Sequence, residues 1–400
     1  MKSPSVAVTG LGCICAAGKN LEQTMRSLYA GSRSPSPPAR FQVELERTFP
    51  VFEIPEAAYL LPMPSEGEDR SLTTRLALIA AGEALESARI EAEKIKGLRV
   101  GVCLGSTVGC TLNNEPFYRE YREKKRPGLE PIRQFLKDNP ALHLAQNLGC
   151  NGPSALIANA CSAGTDAVGL AKAWIEQGLC DIALAGGTDE LCRITYLGFI
   201  SLMVTSTEPC RPFDRNRTGL NLGEGAGILV LEHIDSAIKR GVPILAYVTG
   251  YGCSADAYHP TGPHPEGAGL RRAIHHALRQ AGARPADVDF VNAHGTSTPD
   301  NDRVEGKVLA DIFSPGIKVV STKSYTGHTL GAAGGIEAAL TVRGLMDQRI
   351  PATLGFEEQD LECGIIPTTD NCEIEAEMAM SDSLAFGGNN SVLIFQRGSR

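Results

Sequence analysis

The sequence predicts an α/β protein built from two similar halves, stacked as α-β-α-β-α layers. Three observations carry that expectation. A hexapeptide recurs: Val8-Thr9-Gly10-Leu11-Gly12-Cys13 returns as Val248-Thr249-Gly250-Tyr251-Gly252-Cys253. The elements that follow each copy correspond in order. Apolar strands also alternate with helical patterns throughout, as in a parallel or mixed sheet covered by helices.

Taken in order, residues 74–88 are rich in Ala and Leu at helical spacing, and 269–281 repeat that pattern after the second copy. Each half then shows an apolar strand ending in a Gly-Ser/Thr turn, LRVGVCLGST at 98–107 and VDFVNAHGTS at 288–297. Gly/Ala-rich helices follow, beginning near Ser162 and near Leu330. The halves divide as 1–240 and 241–400, with reactive groups expected where they meet. Residues 31–69, rich in Pro, Ser and charge, read as an insertion on the first half. So does 110–150, which carries the charged run YREYREKKRPG. Together they would form a cap or partner surface.

With 400 residues, 42% of them hydrophobic, the chain has ample material for a buried core. A net charge of -8 argues against nucleic acid as the main partner. The N-terminal residues lack a signal pattern, and no run reaches about 18 uninterrupted apolar residues, so no membrane segment is expected. The 12 cysteines include no CxxC pair, and Cys103, Cys180 and Cys192 sit inside apolar runs. They read as small buried hydrophobes in a reduced, cytosolic protein. Neither an HExxH motif nor paired cysteine spacing supports a metal site.

Cys161 stands apart from the other cysteines. A short apolar run precedes it, and Ser162, Ala163 and Gly164 lead into the helical stretch AVGLAKAWIEQG. A cysteine at a strand-to-helix turn faces unpaired N–H groups and the positive end of the helix dipole, which favour a thiolate. Two histidines supply partners. His294 lies on the Gly/Ser/Thr loop that ends the 288–293 strand, and His328 follows the KVVST strand in STKSYTGHTLGAAGG. Ligand and catalytic groups gather at such strand ends. Lys323 lies five residues before His328.

These motifs resemble those of the elongating β-ketoacyl-[acyl-carrier-protein] synthases, within the thiolase-like superfamily. The resemblance runs from VAVTGLG through NACSAGT, PFDRNRTGLNLGEGAG, NAHGTSTPDNDRVE and STKSYTGHTLGAAGGIE to FGGNN, nearly the whole chain. It implies the thiolase-like fold and a decarboxylative Claisen condensation. Cys161 would accept the acyl group, and His294 and His328 would be the two catalytic histidines. Lys323 matches the family's active-site lysine, with Glu305 as its acidic partner. That pair reads equally as a structural bridge or as a device setting histidine orientation and protonation. Thr296 and Thr298 match threonines that contact the phosphopantetheine arm. Phe386 matches an aromatic gatekeeper. The backbone N–H groups of Cys161 and Phe386 would form the oxyanion hole.

The sequence departs from the family's Phe-Gly-Phe-Gly-Gly-Thr-Asn at Leu384, Ala385 and Asn389, and from its usual pattern at Thr218 and Leu220-Asn221. Gating, chain length and pathway are therefore left open between fatty-acid elongation and polyketide or polyene synthesis. Three other readings compete. A coenzyme A thiolase commonly has a second reactive cysteine near the C-terminus, yet no Cys follows Cys372. A non-catalytic or partner-dependent subunit of a ketosynthase/chain-length-factor pair generally lacks the nucleophile. A Cys-His hydrolase would leave the second histidine and its lysine surplus. The partner implied is an acidic acyl carrier protein, which would dock on a local basic face. Arg70, Arg75, Lys124, Lys125 and Arg126 are the candidates. A homodimer is implied, or a heterodimer with a chain-length-factor-like subunit, with the strand before Cys161 near the interface. No dissociable cofactor is implied.

Overall fold

Ten strands form one mixed sheet whose second five repeat the first five in order. In chain order they are β1 (Val6–Cys15), β2 (Val100–Gly105), β3 (Ser154–Ile157), β4 (Ile182–Asp189) and β5 (Gly225–His233), then β6 (Ala246–Ala255), β7 (Phe290–Asn292), β8 (Lys318–Val320), β9 (Met378–Ala385) and β10 (Asn389–Arg397). The computed structural model describes residues 5–58, 71–91, 95, 98–107 and 114–398. Across the sheet the order is β3-β2-β4-β5-β1, then β6-β10-β9-β7-β8. Read outward from the centre, the two halves match strand for strand. The parallel pairs β3/β2 and β2/β4 correspond to β8/β7 and β7/β9. The halves join where β1 and β6 pair antiparallel, Ala7 opposite Tyr247 and Val8 opposite Ala246.

The repeated hexapeptide lies on those two central strands and explains itself there. In both copies the ladder skips the threonine, Thr9 in one and Thr249 in the other, so each strand carries a bulge at the same residue. The glycines let a helix lie directly on the strand: a Cβ on Gly12 would stand 1.9 Å from the carbonyl oxygen of Ala80, and one on Gly252 would stand 2.1 Å from that of Ala273. Those carbonyls belong to the outer helices α1 (Leu72–Ser87) and α4 (Ala268–Ala281). Between the two half-sheets lie α2 (Ala163–Glu176) and α6 (Ala333–Asp347), which pack on each other and on strands of both halves. The order is therefore helix, sheet, helix pair, sheet, helix, the predicted five layers. Helix α6 is buried on nearly every side, as its Gly/Ala/Leu content allows.

Two further helices, α3 (Arg193–Ser201) and α5 (Pro299–Ile312), flank the strand ends. Residues 37–54 lie against the first half. Arg40 pairs with Glu53 at 2.9 Å and with the fully buried Glu224, whose carboxylate also accepts the N–H groups of Ile54 and Leu191. Of three short helices between residues 115 and 148, the last, Pro140–Leu148, packs on β2, β3 and α1. No helix among the described residues is long and apolar enough to cross a membrane.

Candidate active site

The chain leaves β3 and turns sharply at Ala160, whose φ of 59° lies in the left-handed region. Ala160-Cys161-Ser162 make a single 3-10 turn that runs into α2 at Ala163. Asp166, one turn into that helix, braces the bend from behind. It accepts from Ser162 Oγ at 3.0 Å and from the Asn159 amide, and from Tyr251 Oη at 2.6 Å and the Ser391 hydroxyl on the second half. Cys161 is buried, with 4% of its surface exposed.

The resting thiol differs from the sequence expectation. Burial pushes it up to about 11, against a smaller opposing pull from the Phe386 N–H and the Lys323 ammonium. Desolvation of a small closed site outweighs the helix terminus, so the sulfur is held protonated until it reacts.

His294 follows β7. The backbone N–H groups of His294 and Gly295 donate to Glu305 Oε1 and Oε2 at 2.6 and 2.8 Å, so the carboxyl on α5 grips the loop and not the lysine. Here the expected ion pair is corrected: Lys323 pairs with Glu337 of α6, and Nζ also lies 3.0 Å from His294 Nδ1. An ammonium can only donate, so Nδ1 accepts and the ring proton is assigned to Nε2. His328 reaches the same tautomer by another route, since the Leu330 N–H donates to its Nδ1 at 3.2 Å. Its Nε2 stands 3.1 Å from Cys161 Sγ. The two rings are perpendicular, with centroids 5.2 Å apart.

Burial, and then the Lys323 charge, hold both imidazoles well below the ordinary histidine range; for His294 the neighbouring His328 adds a smaller push. Both are neutral Nε2–H donors at neutral pH. Burial raises the Glu337 carboxyl to about 7 despite the ammonium beside it.

Cys161, His294 and His328 line one cavity of about 560 Å3, together with Thr296, Thr298 and Phe386. The two threonine hydroxyls are hydrogen-bonded to each other at 2.8 Å. Phe199 on α3 is a site residue that sequence reading missed. It lies nearly parallel to Phe386 at 5.4 Å and edge-on to His328 at 6.4 Å. In a helix that also carries Tyr196, nothing in the sequence could have singled it out. A larger hollow of about 840 Å3 lies under residues 37–48, away from the nucleophile and both histidines.

Two of the departures from the family pattern, Ala385 and Asn221, have local explanations. Ala385 is extended at φ −116° and ψ 152°, so its Cβ brings no backbone strain, while Gly387 and Gly388 take the positive φ values of the turn. Gly387 N–H donates to Pro260 O at 2.7 Å, and Asp256 N–H to Gly388 O at 2.8 Å. Asn221 sits behind His328, whose N–H donates to its carbonyl at 2.8 Å, and its side chain accepts the Cys210 N–H at 2.7 Å. Among the described residues no group of three or more His, Cys, Asp or Glu side chains is placed to hold a metal ion.

Of the basic residues expected to dock a carrier, Arg70 lies outside the described residues. Arg75 is half-buried in the first turns of α1. Lys124, Lys125 and Arg126 are exposed, and Lys125 pairs with Glu123 at 2.7 Å.

A two-half α/β body with a buried thiol and two neutral imidazoles facing one cavity defines a thiol-dependent acyltransferase of the condensing class. Residues 3–237 match the family described as Beta-ketoacyl synthase, N-terminal domain, and 245–357 match Beta-ketoacyl synthase, C-terminal domain. The chain belongs to the β-ketoacyl synthase family. It is 34% identical to 3-oxoacyl-[acyl-carrier-protein] synthase 2 of Staphylococcus aureus (strain COL) over 409 aligned residues, covering 98% of each chain. Among solved structures it resembles the ishigamide ketosynthase/chain length factor, with a TM-score of 0.91 and 31% identity over 98% of this chain and 99% of that one. It also resembles a chain from a complex described as a type II PKS acyl-carrier protein with its ketosynthase bound to the hexaketide. There the TM-score is 0.89, with 27% identity over 98% of this chain and 99% of that one.

Proposed function

We propose that this chain elongates an acyl chain held on Cys161 by decarboxylative condensation with a malonyl unit carried by an acyl carrier protein. The observation that carries the reading is the state of the two imidazoles. Each Nδ1 is occupied by a donor, Lys323 Nζ on one and the Leu330 N–H on the other, which leaves two Nε2–H groups in the cavity beside Sγ.

The thiol first attacks the acyl thioester, and the carrier's thiol leaves with the proton. The malonyl thioester then breaks its bond to CO2, and the electron pair moves to the thioester oxygen as an enolate. Nε2–H of His294 and of His328 hydrogen-bond that oxygen as its charge develops. The enolate carbon attacks the acyl carbonyl, whose oxyanion takes the backbone N–H groups of Cys161 and Phe386. Collapse expels the Cys161 sulfur, which regains a proton, and the β-ketoacyl product is two carbons longer. Lys323 and Glu337 fix the His294 tautomer, Glu305 fixes its loop, and Thr296 and Thr298 hold the pantetheine arm.

The carrier is acidic while the chain itself carries a net charge of -8, so docking needs a local basic face, for which we assign Arg70, Arg75 and Lys124 to Arg126. The 11 described cysteines are free thiols, which fits a reducing cytoplasm. A dimer is part of the reading: β3 is a partly exposed edge strand. Its partner is a second copy or a chain-length-factor-like subunit, in keeping with the ketosynthase/chain length factor likeness.

The test is to incubate the purified protein with acyl-carrier and malonyl-carrier proteins. Intact mass and product are followed for wild type and Cys161→Ala. An acyl adduct and a product two carbons longer, both absent from the variant, establish condensation. Release of free acid alone would make the protein a hydrolase. No acylation, with or without a chain-length-factor-like partner, would make it a non-catalytic subunit.

A further inference from the structure

The second half of the molecule contains a copy of the nucleophile's turn without a nucleophile. Leu330-Gly331-Ala332 form a 3-10 turn that enters α6 at Ala333, as Ala160-Cys161-Ser162 enter α2 at Ala163. Leu330 has a φ of 55°, matching the 59° of Ala160. Gly331 occupies the position of the cysteine, and its N–H is already taken: it donates to Asp189 Oδ2 at 2.7 Å.

Asp189 ends β4 in the first half and is fully buried. The same oxygen accepts the Thr107 N–H at 2.9 Å and Thr107 Oγ1 at 2.7 Å, while Oδ1 accepts Ser106 Oγ at 2.8 Å. Three of its four donors thus anchor it to the strand end of its own half, and the fourth is the turn of the other half. One residue before Gly331, the Leu330 N–H donates to His328 Nδ1, and His328 Nε2 meets Cys161 Sγ.

We propose that Asp189 is a positioning residue for His328: by holding the Gly331 N–H it keeps the Leu330 N–H on Nδ1, and so keeps His328 as an Nε2–H donor at Cys161. A backbone donor cannot follow a ring that moves, so the tautomer depends on where the turn is pinned. A carboxylate suits the task because one oxygen can take several N–H and O–H donors at once. The catalytic consequence rests on the condensing reading above, whereas the tautomer does not.

The experiment compares wild type, Asp189→Ala, Asp189→Asn and Thr107→Val in the full-length protein, as its dimer. Three readouts are taken: Cys161 acylation by intact mass, kcat and KM for the malonyl carrier, and the His328 tautomer from long-range 1H–15N spectra of protein labelled in its imidazoles. In Asp189→Ala the Nε2–H form of His328 gives way to a mixture. Its kcat falls about 100-fold, the scale expected for a small misplacement of a reacting group, with KM within about threefold of wild type and Cys161 still fully acylated. Asp189→Asn restores the tautomer and most of kcat, because its amide oxygen can keep Gly331 while its NH2 meets the Ser106 hydroxyl, which can turn to accept. Thr107→Val, which takes one donor from the same oxygen, shows the same pattern at about a threefold loss and decides the matter if Asp189→Ala does not fold.

Wild-type kcat and tautomer in a folded Asp189→Ala, or in Thr107→Val if the alanine variant does not fold, would overturn the proposal. So would acylation falling in step with condensation, or an asparagine variant as impaired as the alanine one. A tautomer that depends on Asp189 in a protein that condenses nothing would sustain the positioning role and sink the condensing reading instead.

Discussion

Gly331 stands where Cys161 stands, one in each half of the same fold. Each is the middle residue of a 3-10 turn opened by a positive-φ residue and followed at once by a buried inner helix. The two halves therefore share the turn that enters the inner helix, but only one of the turns carries a nucleophile. Around Cys161 the side chain opens on the cavity; around Gly331 there is no room. A Cβ there would lie 2.7 Å from Ser106 Cα and 2.8 Å from Asp189 Oδ2.

Gly331→Ala should accordingly act as overpacking at a rigid point. We expect a loss of about 1–3 kcal/mol in denaturant unfolding, together with a fall in condensation, since the displaced turn carries the Leu330 N–H away from His328. Acyl loading of wild type should saturate at one group per chain. An alanine variant as stable and active as wild type would contradict the tight packing at this turn.

The thiol's environment makes a second prediction. Burial holds Cys161 at about 11, and below its pKa a thiol's reactive fraction rises about tenfold per pH unit. Alkylation of Cys161 by iodoacetamide should climb steadily from pH 7 to 10 without levelling. Peptide mapping separates it from the exposed Cys253. A plateau near pH 7 would show instead that the N-terminus of α2 prevails over burial.

The sequence made most of the fold legible because its repeat falls on the two strands that join the halves. β1 and β6 pair with each other, and each bulges at its own copy of the same threonine. Cys161 and His294 were readable for a similar reason, as each lies within a few residues of a strand end, whereas Lys323 opens a short helix, Lys323–Thr326, after β8 and His328 follows that helix. The partner of Lys323 was not readable from spacing. Glu305, eleven residues after His294, invited the pairing, yet α5 places it beneath the loop N–H groups. A signal for Glu337 was present: an acid within AGGIEAALTV is the one charge in a helix stretch otherwise small and apolar, and such a group needs a cation to be buried. Phe199 and Asp189 act through tertiary contacts alone and leave no mark in their own segments.

The two histidines predict an unusual pH profile. Both are depressed by burial and by Lys323, so they stay neutral as pH falls through about 6.5, where a free imidazole takes its proton. The active form is the neutral one, so any acid limb in kcat that comes from imidazole protonation should lie below about 6.5, while a change centred near 7 would report the Glu337 carboxyl beside Lys323. Lys323→Met removes both the charge and the Nδ1 donor at His294, and the limb should move up toward 6.5 as kcat drops. A wild-type limb at about 6.5 that persists in Glu337→Gln would mean that at least one imidazole is not desolvated as the structure has it.

Lys323 and Glu337 allow stability and catalysis to be separated. Each has only 2% of its side chain exposed, and Glu337 Oε2 has no hydrogen-bond partner among the described residues. Removing one member of such a pair strands the other charge in the interior, typically at about 3–5 kcal/mol. Replacing both by apolar groups of similar size is often neutral. Glu337→Leu should therefore unfold at markedly lower denaturant, Lys323→Met should be impaired in the same direction, and the double variant Lys323→Met/Glu337→Leu should regain most of the lost stability. It should not regain activity, because no donor then holds His294 Nδ1 and the ring is free to adopt the other tautomer. Denaturant melts and condensation rates on the four proteins form a double-mutant cycle. Recovery of both properties in the double variant would reduce the pair to a packing element, and recovery of stability alone would assign its charge to the histidine.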